Sequence, residues 1–394
     1  MIKKFLQKIF KIFAYSIFYT IYGKIDKAIH CSTDERIKVK VISLEKDFSY
    51  KIYEIANGRL YTDRIQDTAA ILDNKIIEGP SFQFRQKHAL ETYNANIKNN
   101  IVFTKGTPRF LKNLNGTVLS LLTGGAGNDN YWHWLFDVLP RIGLFRKNMN
   151  LSEVDYFLLP SLTKNFQNET LDLLSIPKQK RLSSEKIRHL KAKKLILTDH
   201  PVVTTDDSSG DIQNVPRWII LWLKNNFLNK ESLIKKKQKI YIDRNESTSN
   251  RPQRLISNEN EIRKYLLKND FIPVKLGEIK FREQVKLFNN AEYVVGLHGA
   301  GFGNLVFCNP GTRVIEFRNS STGPMMENLA KKNNLNYSSI IIGKKDLVKS
   351  KSVVTKDVKN ETLTLTIETA KHAFVNQQGS IEIPISSLIK ILEN

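Results

Sequence analysis

Tyr293–Phe317 reads YVVGLHGAGFGNLVFCNPGTRVIEF, and its punctuation points to a fold. The apolar run Tyr293–Leu297 has the length and composition of a buried strand. It ends in His298, after which glycine recurs at every second position: Gly299, Gly301 and Gly303. An apolar, helix-like segment follows, then a Pro310–Gly311 turn and a second strand over Arg313–Phe317. Strand, glycine turn, helix and strand make one α/β unit with its open loop at the carboxyl end of a strand, where open α/β sheets bind ligands. Backbone amides in such a loop approach a phosphate closely, and a helix N-terminus adds a favourable field. The dinucleotide fingerprint requires a third glycine where Asn304 stands, and no GxxxxGK[ST] occurs, so neither a dinucleotide site nor a P-loop is indicated. Without a ligand, the same spacing is a tight strand-to-helix turn.

The units upstream repeat the alternation. Lys239–Asp243 reads as a strand and Asn258–Asn269 as a helix opened by an Asx-x-x-Glu variant of the capping box. Phe271–Leu276 is a strand and Phe281–Asn290 a helix. This βαβαβαβ run places a nucleotide-type domain at about 236–375, with 376–394 as a closing segment that includes a helix over Ile385–Leu392. Toward the amino terminus, strands are expected at Ile37–Ser43, Lys75–Glu78, 117–124, 154–160 and Lys194–Thr198. Helices are expected from near Asn130 and over Val215–Leu228, with Pro216 near the start of the latter. Residues 29–235 are read as a second α/β domain. The 394 residues suit two domains.

A net charge of +22 attracts anions of every kind, from nucleic acid to anionic lipid to nucleotide-linked substrates. No helix-turn-helix, zinc spacing or RNP motif accompanies it, which argues against nucleic acid as the partner. The densest basic run, Lys235–Lys239, reads as a solvated linker. The two cysteines, Cys31 and Cys308, show no metal-ligand spacing and fit a reducing compartment. Residues 1–28 form a basic amphipathic segment. Lys4, Gln7, Lys8 and Lys11 share one helical face, while Phe5, Ile9, Ile12 and Phe13 lie away from it. The apolar part is shorter than the roughly 20 residues a spanning helix needs, and no small-residue cleavage site follows. Two readings stand: an interfacial membrane anchor, or a helix docked on the protein itself.

Three further places carry chemistry. In Gly124–Arg141, GGAGNDNYWHWLFDVLPR, His133 and Asp137 stand four apart and share a helical face. Either Asp137 orients His133 as general base, or Asp137 takes the proton and His133 binds substrate; a structural pair is the bland alternative. Arg244 ends the strand Tyr241–Asp243, at the ligand edge of the sheet, where a guanidinium can grip phosphate; pairing with Asp243 or Glu246 is its bland alternative. Glu316 stands at the end of the strand Arg313–Phe317, where a carboxylate can accept from ribose hydroxyls; from spacing alone, a plain surface carboxylate is the favoured reading.

Together these segments resemble glycosyltransferase family 61. The resemblance rests on Asn130–Trp134 with Asp137 and Leu139–Arg141, Tyr241–Arg244, Gln284 with Leu287–Phe288, His298–Phe302, Asn304, Phe307, Pro310–Thr312 and Glu316, and covers roughly 115–320. An extra Trp132 separates Tyr131 from His133, a departure from the family pattern. The resemblance implies a GT-B fold of two Rossmann-like domains facing across a cleft, and inverting transfer from a nucleotide sugar, UDP-linked by expectation. The donor would lie against Arg244, His298, Gly299, Ala300, Gly301, Asn304 and Glu316; the acceptor would lie near His133 and Asp137. No metal ligand is expected, and the chain has no Asp-x-Asp. The implied setting is bacterial capsule or lipopolysaccharide assembly in the cytoplasm, peripheral to the inner membrane, on a glycan or lipid-linked glycan. A catalytically silent membrane-associated scaffold and a phosphosugar transferase are the other readings compatible with these motifs.

Overall fold

The computed structural model describes residues 2–45, 48–64, 67–81, 84–86, 92–94, 97–104, 110–122, 130–204, 208–228, 237–244, 254–320, 322–342 and 379–393. The chain divides into two compact units. The first is Met1–Arg85 with Thr92–Ile212, and the second is Gln86–Glu91 with Gln213–Asn394. The expected division at 235/236 thus differs from the observed one by the helix Arg217–Phe227. Its apolar face explains the difference: Phe227 packs edge-on against Phe281 and Phe307, and the Lys224 ammonium donates to the Cys308 carbonyl. The glycine-rich stretch 123–129, the 229–236 segment with Lys235 and Lys236 of the lysine run, Glu246 and Arg251 lie outside the described residues.

The second unit is built on a five-stranded, all-parallel sheet. In spatial order its strands are Phe271–Val274, Gln238–Ile242, Ala291–Leu297, Arg313–Asn319 and Asn336–Ile342. Counted along the chain the order is 2-1-3-4-5, so the progression of strand order reverses between Gln238–Ile242 and Ala291–Leu297. Both faces are covered, as a parallel sheet requires. Val295, Leu297, Ile315, Phe317, Ile340 and Ile342 face one cluster with Ile262, Leu266 and Leu388. Phe281, Phe288, Phe302 and Phe307 are fully buried elsewhere in the unit. The segment after His298 is a 3-10 helix, Ala300–Phe307, and not an α-helix.

Asn258 differs from its expected role. Its side chain makes no cap bond to the helix Glu259–Lys268. Instead it pairs reciprocally with the main chain of Ile383, donating to the carbonyl at 2.8 Å and accepting from the amide at 3.0 Å. The closing segment is held in this way: Gly379–Ile381 runs parallel to Arg254–Ile256, and the helix Ile385–Glu393 buries Leu388.

The first unit has a mixed ten-stranded sheet. Arg181–Ser183, Tyr156–Leu159, Lys112–Ser120 and His189–Thr198 are parallel neighbours, the Rossmann-like part. Beyond His189–Thr198 the sheet turns antiparallel, through Phe48–Ala56 and Arg59–Arg64, so this unit is only partly Rossmann-like. Lys112–Ser120 and His189–Thr198 are adjacent and parallel, which brings the loops leaving them to one edge. The helix Ile2–Tyr22 belongs to this unit. Cys31 and Cys308 are both buried free thiols.

Candidate functional site

Each unit gathers polar side chains at the carboxyl edge of its sheet. In the first, Asn130 caps the segment that follows Lys112–Ser120, its side-chain oxygen accepting from the amides of Trp132 (2.9 Å) and His133 (3.4 Å). One turn later the ladder widens to a π-turn over Trp134–Val138, with the Leu139 amide bonded to the Trp134 carbonyl. Pro140 follows at the first position of the helix Pro140–Arg146, where its missing N–H costs nothing. Single π-turns inside helices recur at functional sites. Here the turn is also pinned from behind, by the Trp134 indole donating to Thr170 Oγ1 at 2.8 Å.

His133 Nδ1 donates to Asp137 Oδ2 at 2.5 Å. The imidazole side chain is 37% exposed and the carboxylate 6%. Desolvation works against the charged ring, but the Asp137 charge and hydrogen bond outweigh it, and the His133 pKa lies above its ordinary value. Beneath the pair sits Arg141, fully buried. Its Nε donates to the Asp137 carbonyl at 2.8 Å and its Nη1 to the Asp199 carbonyl at 3.3 Å. Burial pulls this guanidinium down to about 10, against the opposing charges of Asp137 and Asp199. Burial likewise raises Asp199, despite hydrogen bonds from the Lys51 amide and the Tyr53 hydroxyl.

Sequence reasoning missed His200. It stands two residues beyond the strand His189–Thr198, after Asp199, and places Nε2 4.0 Å from Asp137 Oδ2. Its Nδ1 accepts from the amides of Val202 (3.2 Å) and Val203 (3.1 Å), so the neutral ring carries its proton on Nε2, toward Asp137. Burial pushes its pKa down to about 3, so the ring is neutral at ordinary pH. The available signal was a histidine at the carboxyl end of a strand whose partner strand also ends at the site.

In the second unit, Arg244 and His298 leave the two strands that flank the reversal of strand order, the position where doubly wound sheets bind ligands. Arg244 Nη1 donates to the His298 carbonyl at 2.7 Å, and Arg254 Nη1 to the same oxygen at 3.1 Å. Of the two bland partners offered for Arg244, Glu246 lies outside the described residues and Asp243 is engaged by another arginine. Asp243 accepts from Arg263 at 2.8 Å, and no hydrogen bond joins Arg244 to a carboxylate among the described residues. Burial depresses both arginines, and for Arg254, held near 10, the neighbouring Arg244 charge adds to the effect. A cavity of about 20 Å³ lies beside them, lined by Tyr241, Leu255, Glu259 and Leu297 among others.

His298 is buried, and its Nδ1 donates to Glu316, whose other oxygen accepts from the Tyr337 hydroxyl. Burial lowers the His298 pKa; the Glu316 hydrogen bond opposes this and the two arginines reinforce it. Gly299 lies against Arg244: a Cβ there would stand 2.8 Å from Nη1. The 3-10 run begins at Ala300, so the amides of Ala300 and Gly301 have no partner within the helix.

Two expected ligand contacts turn out to be internal. Glu316 is 1% exposed with both oxygens engaged, so it orients His298 and presents no open carboxylate to a ribose. Asn304 is completely buried, its amide donating to Gln284 at 2.9 Å and to the Gly301 carbonyl at 3.3 Å. Gln284 in turn donates to the Leu276 carbonyl at 2.9 Å. Asn304 therefore shapes the glycine turn from behind. Arg244, His298, Gly299, Ala300 and Gly301 stay together at the strand ends, and His133 and Asp137 stay together in the other unit.

Comparison with known proteins gives one family. Residues 131–315 match the family model described as Glycosyltransferase 61, a span that holds His133, Asp137, Arg141 and His200 of the first cluster and Arg244, Arg254 and His298 of the second. No curated protein matches the chain.

Proposed function

We propose that this chain, whose residues 131–315 match the Glycosyltransferase 61 family model, is an inverting, metal-independent glycosyltransferase whose donor diphosphate binds at Arg244 and Arg254. The supporting observation is the convergence of these two guanidiniums on one carbonyl at the sheet's switch point, with Arg244 lacking a carboxylate hydrogen bond among the described residues. A diphosphate would accept hydrogen bonds from the Arg244 guanidinium. Arg244, Arg254 and the amides of Ala300 and Gly301 would take up the negative charge that develops on the leaving nucleoside diphosphate.

The acceptor hydroxyl belongs, in this reading, beside His133. With Nδ1 committed to Asp137, Nε2 is the nitrogen that takes the hydroxyl proton as the oxygen attacks the anomeric carbon. The bond from that carbon to the diphosphate breaks on the opposite side, which inverts the configuration. Exposure favours His133 over Asp137 as the proton acceptor, and leaves Asp137 to orient the ring. The reading includes a GT-B arrangement of the two units, a UDP-linked donor, and a glycan or lipid-linked glycan acceptor in capsule or lipopolysaccharide assembly on the cytoplasmic side of a bacterial inner membrane.

A thermal-shift series with nucleoside diphosphates and UDP-sugars, with and without EDTA, tests it. Ligands that bind only the native state raise Tm by mass action. An EDTA-insensitive rise with UDP, lost in Arg244→Ala, is expected. No rise with any nucleotide, together with a rise on adding oligonucleotides, would overturn the donor assignment.

A further inference from the structure

The helix Ile2–Tyr22 has two faces that the fold treats differently. Its second half is docked. Ala14 and Phe18 are buried, and Phe18 joins Tyr61, Ile71, Ile76 and Val102 in a core cluster with Tyr19 and Tyr22 packed against it. The far end is held from below: Arg59 donates to Asn74 Oδ1 at 2.6 Å and to the Tyr22 carbonyl at 3.4 Å, and Tyr22 packs edge-on to His189, ring centres 4.9 Å apart.

The other face is bare. Nine of the fifteen exposed large hydrophobic side chains among the described residues lie on this one helix, including Phe5 (62%), Phe10 (64%) and Phe13 (64%). At 100° per residue they fall within an arc of about 180° that runs from Ile2 to Ile21. The opposite half carries Lys4, Lys8 and Lys11 in the first turns, then Ala14, Phe18 and Tyr22, the residues that dock. Ser16 and Thr20 fall within the apolar arc, but their hydroxyls bond back to the carbonyls of Ile12 (3.2 Å) and Ser16 (2.9 Å), so they do not interrupt it. The helix therefore docks through Ala14, Phe18 and Tyr22 in its second half, leaves its lysines exposed in the first, and turns its apolar side outward.

We propose that this outward face is an interfacial docking surface for an anionic lipid membrane. A bare apolar stripe this long marks an interaction site. Among the described residues no helix is long and apolar enough to cross a membrane, and this one has lysines at positions 3, 4, 8 and 11, so it lies in the interface. Charge selects the occupant. No acidic residue occurs before Asp26, so the lysines attract anionic headgroups. The proposal is independent of the transferase reading.

Sedimentation of the full-length protein with vesicles tests it, using phosphatidylcholine alone and equal parts of phosphatidylcholine and phosphatidylglycerol. Wild type is expected to pellet with the anionic vesicles. The triple variant Phe5→Ser/Phe10→Ser/Phe13→Ser, confined to exposed positions, should stay in the supernatant with unchanged Tm. Replacing Lys3, Lys4, Lys8 and Lys11 by Gln should weaken binding to the anionic vesicles by more than roughly tenfold. Three outcomes would overturn the assignment: wild type that ignores both vesicles, a triple variant that binds as wild type does, or a lipid-free oligomer in ultracentrifugation that the triple variant dissolves. The last would give the face to a second copy.

Discussion

Gly299→Ala isolates the role of Arg244 with a single methyl group. The new Cβ would stand 2.8 Å from Arg244 Nη1 and 3.2 Å from Cζ, closer than packed atoms tolerate. Gly299 has φ 170°, an extended conformation that alanine adopts freely, so the backbone is not strained. The group that must move is the tip of a long side chain, and the cost to folding is small. Arg244 swings away from the His298 carbonyl it now holds at 2.7 Å and no longer faces the strand ends. A hydrogen bond to a charged group is worth roughly 1.5–3 kcal/mol, and each 1.4 kcal/mol is tenfold in affinity. Affinity for UDP should therefore fall roughly 10- to 150-fold, with Tm almost unchanged. Titration calorimetry reads the affinity. Because the alanine acts only through Arg244, the double variant Gly299→Ala/Arg244→Ala should bind no more weakly than Arg244→Ala alone. Wild-type affinity in Gly299→Ala, or losses that add in the double variant, would refute the placement of Arg244 on the diphosphate.

Asp137→Asn keeps the shape of the first cluster and removes its charge; kcat should drop about 10²- to 10⁴-fold, while the Kd for UDP in calorimetry stays at the wild-type value. The two histidines should act oppositely on stability against pH, read by urea unfolding. His200, held near 3 when folded against about 6.5 unfolded, binds its proton more readily in the unfolded chain. Its contribution is complete above pH 6.5 and is lost as pH falls toward 3, so His200→Gln should flatten the acid side of the curve. The His133 pKa is raised on folding, so its contribution is present below pH 6.5 and lost as pH rises through the folded value; His133→Gln should cost most in mild acid. Asn258→Ala breaks both bonds to Ile383 and should destabilise the protein by about 1–3 kcal/mol, measured by the same unfolding assay. A loss near zero would mean that the Arg254–Ile256 ladder alone holds the closing segment.

Local information sufficed for what depends on local physics. The apolar run Ala291–Leu297, the Pro310–Gly311 turn and the alternation of strands with helices from Gln238 to Ile342 follow from side-chain periodicity and backbone restriction. So did the meeting of His133 with Asp137, because four residues along a helical turn settle it. The placement of Arg244 and His298 at strand ends was equally legible. What the sequence left open were contacts between segments distant along the chain. His200 reaches Asp137 because Lys112–Ser120 and His189–Thr198 are adjacent and parallel. Arg244 meets His298 because their strands neighbour each other where the order reverses. Glu316 read as an open carboxylate until the register with Asn336–Ile342 set Tyr337 beside it. Asn258 satisfies the cap pattern in sequence, yet its amide goes to Ile383, a partner no local rule can see. The helix Ile2–Tyr22 carries its two faces in its sequence, but which one the protein covers depends on Tyr61, Ile71 and Val102, which only the folded sheet assembles. Periodicity is a property of neighbours along the chain. Strand order and register, which decide which loop ends share a site, come from burying many distant side chains at once.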